Sequence, residues 1–119
     1  MRMALVIDDE LDICLMVTKH LQNLQFKTNY ALTVKDARQK VSLAECELMF
    51  IDLNLPDGSG FDVIHYVNEL KLNSKIIVIS AYDSESNKAL RMGASHFMTK
   101  PFTTKKINDA LKALNFLPN

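Results

Sequence analysis

At 119 residues, with 14 basic residues against 14 acidic ones, the chain has no net charge at pH 7 and therefore none of the overall basic field that dominates nucleic-acid binding. That length makes one domain, able to bury roughly two-thirds of its unfolded surface in a sizeable core, and leaves no room for a second. The apolar runs are too short for a membrane span and Met1-Arg2-Met3-Ala4 leads straight into a strand, so no signal peptide, no membrane contact and a cytoplasmic location are expected.

Ala4-Leu5-Val6-Ile7 reads as a short strand that ends abruptly in Asp8-Asp9-Glu10. Leu11, Leu15, Val17, His20, Leu21 and Leu24 then recur at about 3.6 residues, predicting an amphipathic helix over about 10–24 with acids at the end that suits the helix dipole. Phe26 to Tyr30 alternates briefly and reads as an edge strand. Thr33 is placed to cap a helix over about 34–43 that turns Val34, Ala37 and Val41 inward. Leu48-Met49-Phe50-Ile51 runs into the single carboxylate of Asp52, and Pro56, Gly58 and Gly60 then break the chain, as in a buried strand that ends in a loop. A helix with Val63, Ile64, Val67 and Leu70 on one face follows and is expected to end near Asn73. Lys75 to Ser80, with four β-branched residues in succession, is a second buried strand. Residues 83–92 predict a short exposed helix with Ala89, Leu90 and Met92 on its inner side, closing at Gly93. His96 to Thr99 is a last strand, and Thr104 to Leu114 a last helix with Ile107, Ala110, Leu111 and Leu114 inward. Strands alternating with helices imply an α/β domain: a doubly wound, five-stranded parallel sheet with helices on both faces. Cys14 and Cys46 lack CxxC spacing and are expected to be reduced thiols in or near the core; His20, His65 and His96 lack metal-ligand spacing and receive no role.

Four of these strands end in polar residues on what must be one rim, since ligands of open α/β sheets sit at the carboxyl ends of the strands: Asp8 and Asp9, Asp52, Ser80 and Lys100. Carboxylates brought within about 4 Å repel by roughly 4 kcal/mol per pair at an effective dielectric near 20, so the cluster requires protonation or a cation. Hard oxygen donors suit Mg²⁺, or Mn²⁺ in its place, held by Asp9 and Asp52 with the backbone carbonyl of Asn54. Lys100 and Ser80 would contact phosphoryl oxygens, and Asp52 is left as the nucleophile of an aspartyl phosphate.

With Asp8-Asp9, Asp52-Leu53-Asn54-Leu55-Pro56-Asp57-Gly58-Ser59-Gly60, Ser80-Ala81 and Lys100-Pro101-Phe102 in this order, the chain resembles the receiver domain of two-component response regulators over essentially its full length, 1–119. The resemblance implies a flavodoxin-like fold with strand order 2-1-3-4-5. It also implies a phosphorylation-activated switch in which Asp52 accepts a phosphoryl group from a phosphohistidine on a sensor kinase or phosphotransfer protein, with Mg²⁺ required and Asp8 and Asp9 as the metal-site acids. Ser80 and Phe97 would be the switch pair that reshapes the face of residues 83–115, and the Lys100-Pro101 peptide is expected to be cis. Asn54 and Tyr82, each two residues beyond a site residue, flank the path of a hydrolytic water; the bulk of Tyr82 is expected to slow hydrolysis.

Two other readings compete. A haloacid-dehalogenase-type phosphatase needs a general acid two residues after its nucleophile, where this chain has Asn54. A degenerate receiver used only for docking would lack site residues that are present here. Output is expected to pass to an unidentified protein or to an effector domain beyond residue 119. The stretch Ala94-Ser95-His96-Phe97 and Ala110 lack the charges of dimerising receivers, and Lys88, Arg91, Lys105 and Lys106 offer a modest basic docking face.

Overall fold

The computed structural model describes residues 2–43 and 45–118. Five parallel strands, β1 (Met3–Ile7), β2 (Lys27–Ala31), β3 (Leu48–Asp52), β4 (Lys75–Ser80) and β5 (His96–Thr99), form one sheet in the order β2-β1-β3-β4-β5. Five helices connect and follow them: α1 (Leu11–Asn23), α2 (Val34–Leu43), α3 (Gly60–Glu69), α4 (Ser86–Arg91) and α5 (Thr104–Ala113). This is the parallel sheet with helices on both faces that the strand pattern predicts, in the flavodoxin-like strand order that the resemblance implies.

Strand side chains alternate between the two faces, so each central strand feeds two cores. Leu5, Ile7, Met49, Ile51, Ile76 and Val78 pack with α2, α3 and α4, through Ala37, Val41, Val63, Ile64, Val67 and Ala89. Ala4, Val6, Leu48, Phe50, Ile77 and Ile79 pack with α1 and α5, through Cys14, Val17, Leu21, Ile107, Ala110 and Leu111. Burial on both faces is why these strands are nearly continuous apolar runs. Both cysteines are buried and free.

Several boundaries and faces depart from the pattern. β2 starts at Lys27, because Phe26 turns into the core instead of pairing. The inner face of α1 is Cys14, Val17, Thr18 and Leu21, whereas Leu11 and Leu15 are exposed. Leu70 and Leu90 also face outward, at 41% and 48% exposure. α3 ends at Glu69, four residues short of Asn73: Lys71 takes a left-handed conformation with φ 54°, which no helix continues. The expected helix over 83–92 is a 3₁₀ turn, Asp83–Glu85, followed by the single short helix α4.

The register carries the strand ends to one rim. Ile7 pairs with Ile51, Asp52 with Ile79 and Ser80 with Thr99, which puts Asp8, Asp52, Ser80 and Lys100 side by side at the carboxyl ends. Beyond Asp52 a small antiparallel ladder pairs Asn54 with Ser59 and Leu55 with Gly58, and Ser59 opens α3 with a reciprocal capping box to Asp62. At the opposite pole the Arg2 guanidinium lies 5.7 Å from the Phe26 ring and 5.6 Å from the Phe116 ring, and its Nη1 donates to the Phe116 carbonyl at 2.7 Å.

Candidate functional site

Asp52 ends the most buried strand and is itself 3% exposed. Its Oδ1 accepts from the Asn54 amide at 3.3 Å and its Oδ2 from the Lys100 ammonium at 3.1 Å. The loop reaches this geometry through Gly60, whose amide donates to the Leu53 carbonyl; a Cβ there would collide with the Asp52 carbonyl oxygen and stand 2.9 Å from Ile51 Cγ2. Lys100 arrives from the end of β5, which lies beyond β4 in the sheet. Its amide donates to the Ser80 carbonyl at 2.7 Å, and the Lys100-Pro101 peptide is cis, as expected.

Asp8 is fully buried and accepts from the Glu10 amide at 2.8 Å through Oδ1. Its Oδ2 stands 3.0 Å from the Lys100 ammonium as an ion pair, yet receives no directed hydrogen bond among the described residues. Burial, with the Asp52 charge adding to it, outweighs the Glu10 amide and Lys100 and pushes the Asp8 carboxyl up to about 6. Burial likewise raises Asp52 against the opposing pull of the Asn54 amide and Lys100. For Lys100, burial opposes the ammonium, but the carboxylates of Asp8 and Asp52 prevail and its pKa rises. The lysine is thus held charged as a fixed donor.

Carboxylate oxygens of Asp8, Asp9 and Asp52 lie within 4.8 Å of one another. A hydrogen-bond-free buried oxygen among three hard donors, with no thiol or imidazole in the group, fits a divalent cation of the Mg²⁺ or Ca²⁺ kind. Asp9 and Asp52 open onto a cavity of about 560 Å³ that is also lined by Asn54, Ser80, Tyr82 and Lys100. Ser80 is buried; its Oγ accepts from the Tyr82 amide at 3.1 Å and donates to Glu85 Oε1 at 3.0 Å. Tyr82 is 68% exposed at the cavity wall.

The structure therefore brings together Asp8, Asp9, Asp52, Asn54, Ser80, Tyr82 and Lys100. Phe97 stands apart on β5, half-buried against the layer that includes Val78 and Ala89. Two cavity residues escape the sequence pattern. Glu10 stands 3.7 Å from Lys100, in an acidic run whose first two members take the attention. Glu85 sits in a polar stretch with nothing in its spacing to mark it. Of the basic patch, the Lys88 ammonium lies over the Phe61 ring at 4.3 Å and Lys105 pairs with Asp109 at 3.3 Å. His20 links α1 to α5 through Asn108 at 2.8 Å.

The family model described as the response regulator receiver domain matches residues 4–112. The chain belongs to that family. Among curated relatives, this receiver domain is 33% identical over 108 residues to response regulator protein PilR of Pseudomonas aeruginosa, covering 89% of this chain and 24% of that protein. It is 30% identical over 112 residues to the alkaline phosphatase synthesis transcriptional regulatory protein PhoP of Bacillus subtilis, covering 92% of this chain and 47% of that one. The receiver domain thus spans about a quarter to a half of these relatives. Among solved structures, response regulator protein TrrA of Thermotoga maritima in complex with Mg(2+)-BeF superposes with a TM-score of 0.85 at 25% identity, covering 96% of this chain and 99% of that one. The receiver domain is a regulatory module of two-component signalling.

Proposed function

We propose that Asp52 is the phosphoacceptor. The observation that carries this reading is a buried carboxylate, clamped by Lys100 at 3.1 Å, at the wall of a cavity beside two further acids. An Asp52 oxygen forms the new O–P bond while the P–N bond of the donor phosphohistidine breaks, its electron pair leaving with the imidazole. The Lys100 ammonium and the Ser80 hydroxyl then donate to phosphoryl oxygens. Asp8, Asp9, Asp52 and the Asn54 carbonyl would hold Mg²⁺, which supplies neutralisation of the charge gathered on the transferring group; the Mg(2+)-BeF complex of TrrA supports that choice.

On this reading the domain catalyses only its own phosphorylation and a slow loss of the group. Its donor is a sensor histidine kinase or histidine phosphotransfer protein, and its place is the cytoplasm; no helix of the described residues is long and apolar enough to cross a membrane. Ser80 and Phe97 act as the switch, with an effector domain or a separate protein as the receiver of the signal. Asn54 at the general-acid position speaks against a phosphatase. Acetyl phosphate with Mg²⁺ tests the proposal by intact mass and peptide mapping: one phosphoryl group on Asp52 is expected, lost in Asp52→Asn and on chelation. Labelling elsewhere, or none, overturns it; the last result favours a docking module.

A further inference from the structure

Ser80 has a single hydroxyl proton, and that proton is spent. It goes to Glu85 Oε1 at 3.0 Å, while the Tyr82 amide fills an acceptor position of the same oxygen at 3.1 Å. Donation to a phosphoryl oxygen on Asp52 therefore requires that the bond to Glu85 break first. Glu85 lines the same cavity as Asp52 and Ser80, so an arriving phosphoryl dianion both competes for the proton and repels the carboxylate that now holds it.

Glu85 closes the 3₁₀ turn Asp83–Glu85 and is the residue from which α4 starts. This segment is lightly held. Across residues 83–91 Ala89 alone is buried, and the turn's own backbone contact, Glu85 amide to Tyr82 carbonyl, is long at 3.4 Å. Besides Ala89 and the Lys88 ammonium over the Phe61 ring, a charge-assisted hydrogen bond from a buried strand end seats this exposed piece of chain.

We propose that Glu85 is a latch: its carboxylate holds the Ser80 hydroxyl and, through it, the segment 83–91, until a phosphoryl oxygen on Asp52 takes the proton and releases both. The latch rests on the phosphoacceptor reading of Asp52 and adds to it a named restraint that sets the balance between the two positions of Ser80. Glu85 is a positioning residue. It acts through Ser80, and its effect is lost when that hydroxyl is absent.

Two measurements on the full chain test this. In the unphosphorylated protein, amide hydrogen exchange over 83–91 should quicken about fivefold in Glu85→Ala and in Ser80→Ala alike, as expected for one charge-assisted bond at a partly exposed site. The double variant should add nothing, and Glu85→Gln, which keeps an acceptor oxygen, should stay within about twofold of the parent. With acetyl phosphate and Mg²⁺, Glu85→Ala should label several-fold faster than the parent, and no faster than the single variant in the Ser80→Ala background. Unchanged exchange, or effects of the two substitutions that add, overturns the latch even where the parent labels normally on Asp52. Absence of label on Asp52 in parent and variants alike overturns the phosphoacceptor reading, and the latch with it.

Discussion

The burial of Asp8, before the charge of Asp52, sets the protonation of the site, and its Oδ2, paired with Lys100 but without a directed hydrogen bond, leaves a hard donor for a cation. A carboxyl raised from 3.8 to about 6 binds its proton more tightly folded than unfolded, so its contribution to stability is present below 3.8 and is lost as pH rises through about 6. A cation must displace that proton. Mg²⁺ affinity, followed by titration calorimetry, should be flat well above pH 6 and fall by up to about tenfold per unit below it. In Asp8→Asn most of the affinity should be lost, and the remaining pH dependence should be that of Asp52. Gly60→Ala places a methyl group against the backbone of Asp52 itself, and should cost about 2 kcal/mol or more by urea unfolding as well as slow phosphoryl uptake. At the cavity wall, Tyr82→Ala is expected to speed hydrolysis of the phosphorylated form several-fold, with uptake little changed; equal lifetimes by phosphate release would refute the shielding role.

Between elements, the notable contact is one that sequence spacing hides. Asp57, in the loop after β3, accepts from the amides of Val34 at 2.7 Å and Lys35 at 3.0 Å, capping α2 from 23 residues away. Those two amides hold its carboxyl below the usual range, so its support is present above 3.8 and disappears as pH falls through the lowered value. Asp57→Ala should expose the first turn of α2, seen as faster exchange of the Val34 and Lys35 amides, while Asp57→Asn, with an acceptor retained, should do so less. Thr33, which the sequence does offer as a cap, accepts from Asp36 at 3.0 Å, so the helix start is held twice. Strands were legible because burial on both faces writes itself as apolar runs, and the rim residues because each ends such a run. Helix faces were less so. Leu11, Leu15 and Leu70 fit the helical period, yet the neighbouring elements leave them exposed, and nothing about a lysine announces that Lys71 will turn left-handed and stop α3. Glu85 and the His20–Asn108 link depend on how elements dock, which no local pattern encodes.

At the level of the whole molecule, one sheet separates two cores that share the central strand. Phe50, fully buried on the α1 and α5 side, is among the largest of the enclosed side chains. Phe50→Ala should lower unfolding free energy by about 3–5 kcal/mol, with the urea transition still a single step. Saturating Mg²⁺ should move the same transition upward, by about 2.7 kcal/mol at a hundredfold excess over the dissociation constant, and leave Asp52→Asn/Asp8→Asn nearly unmoved. The contacts of Arg2 with the adjoining rings of Phe26 and Phe116 tie the last described turns of chain to the start of β1, one strand length, about 16 Å, from the rim where the acids gather. An affinity tether or fluorescent reporter joined at either end would therefore hang from the far pole, leaving the mouth of the cavity clear for a bulky phosphodonor.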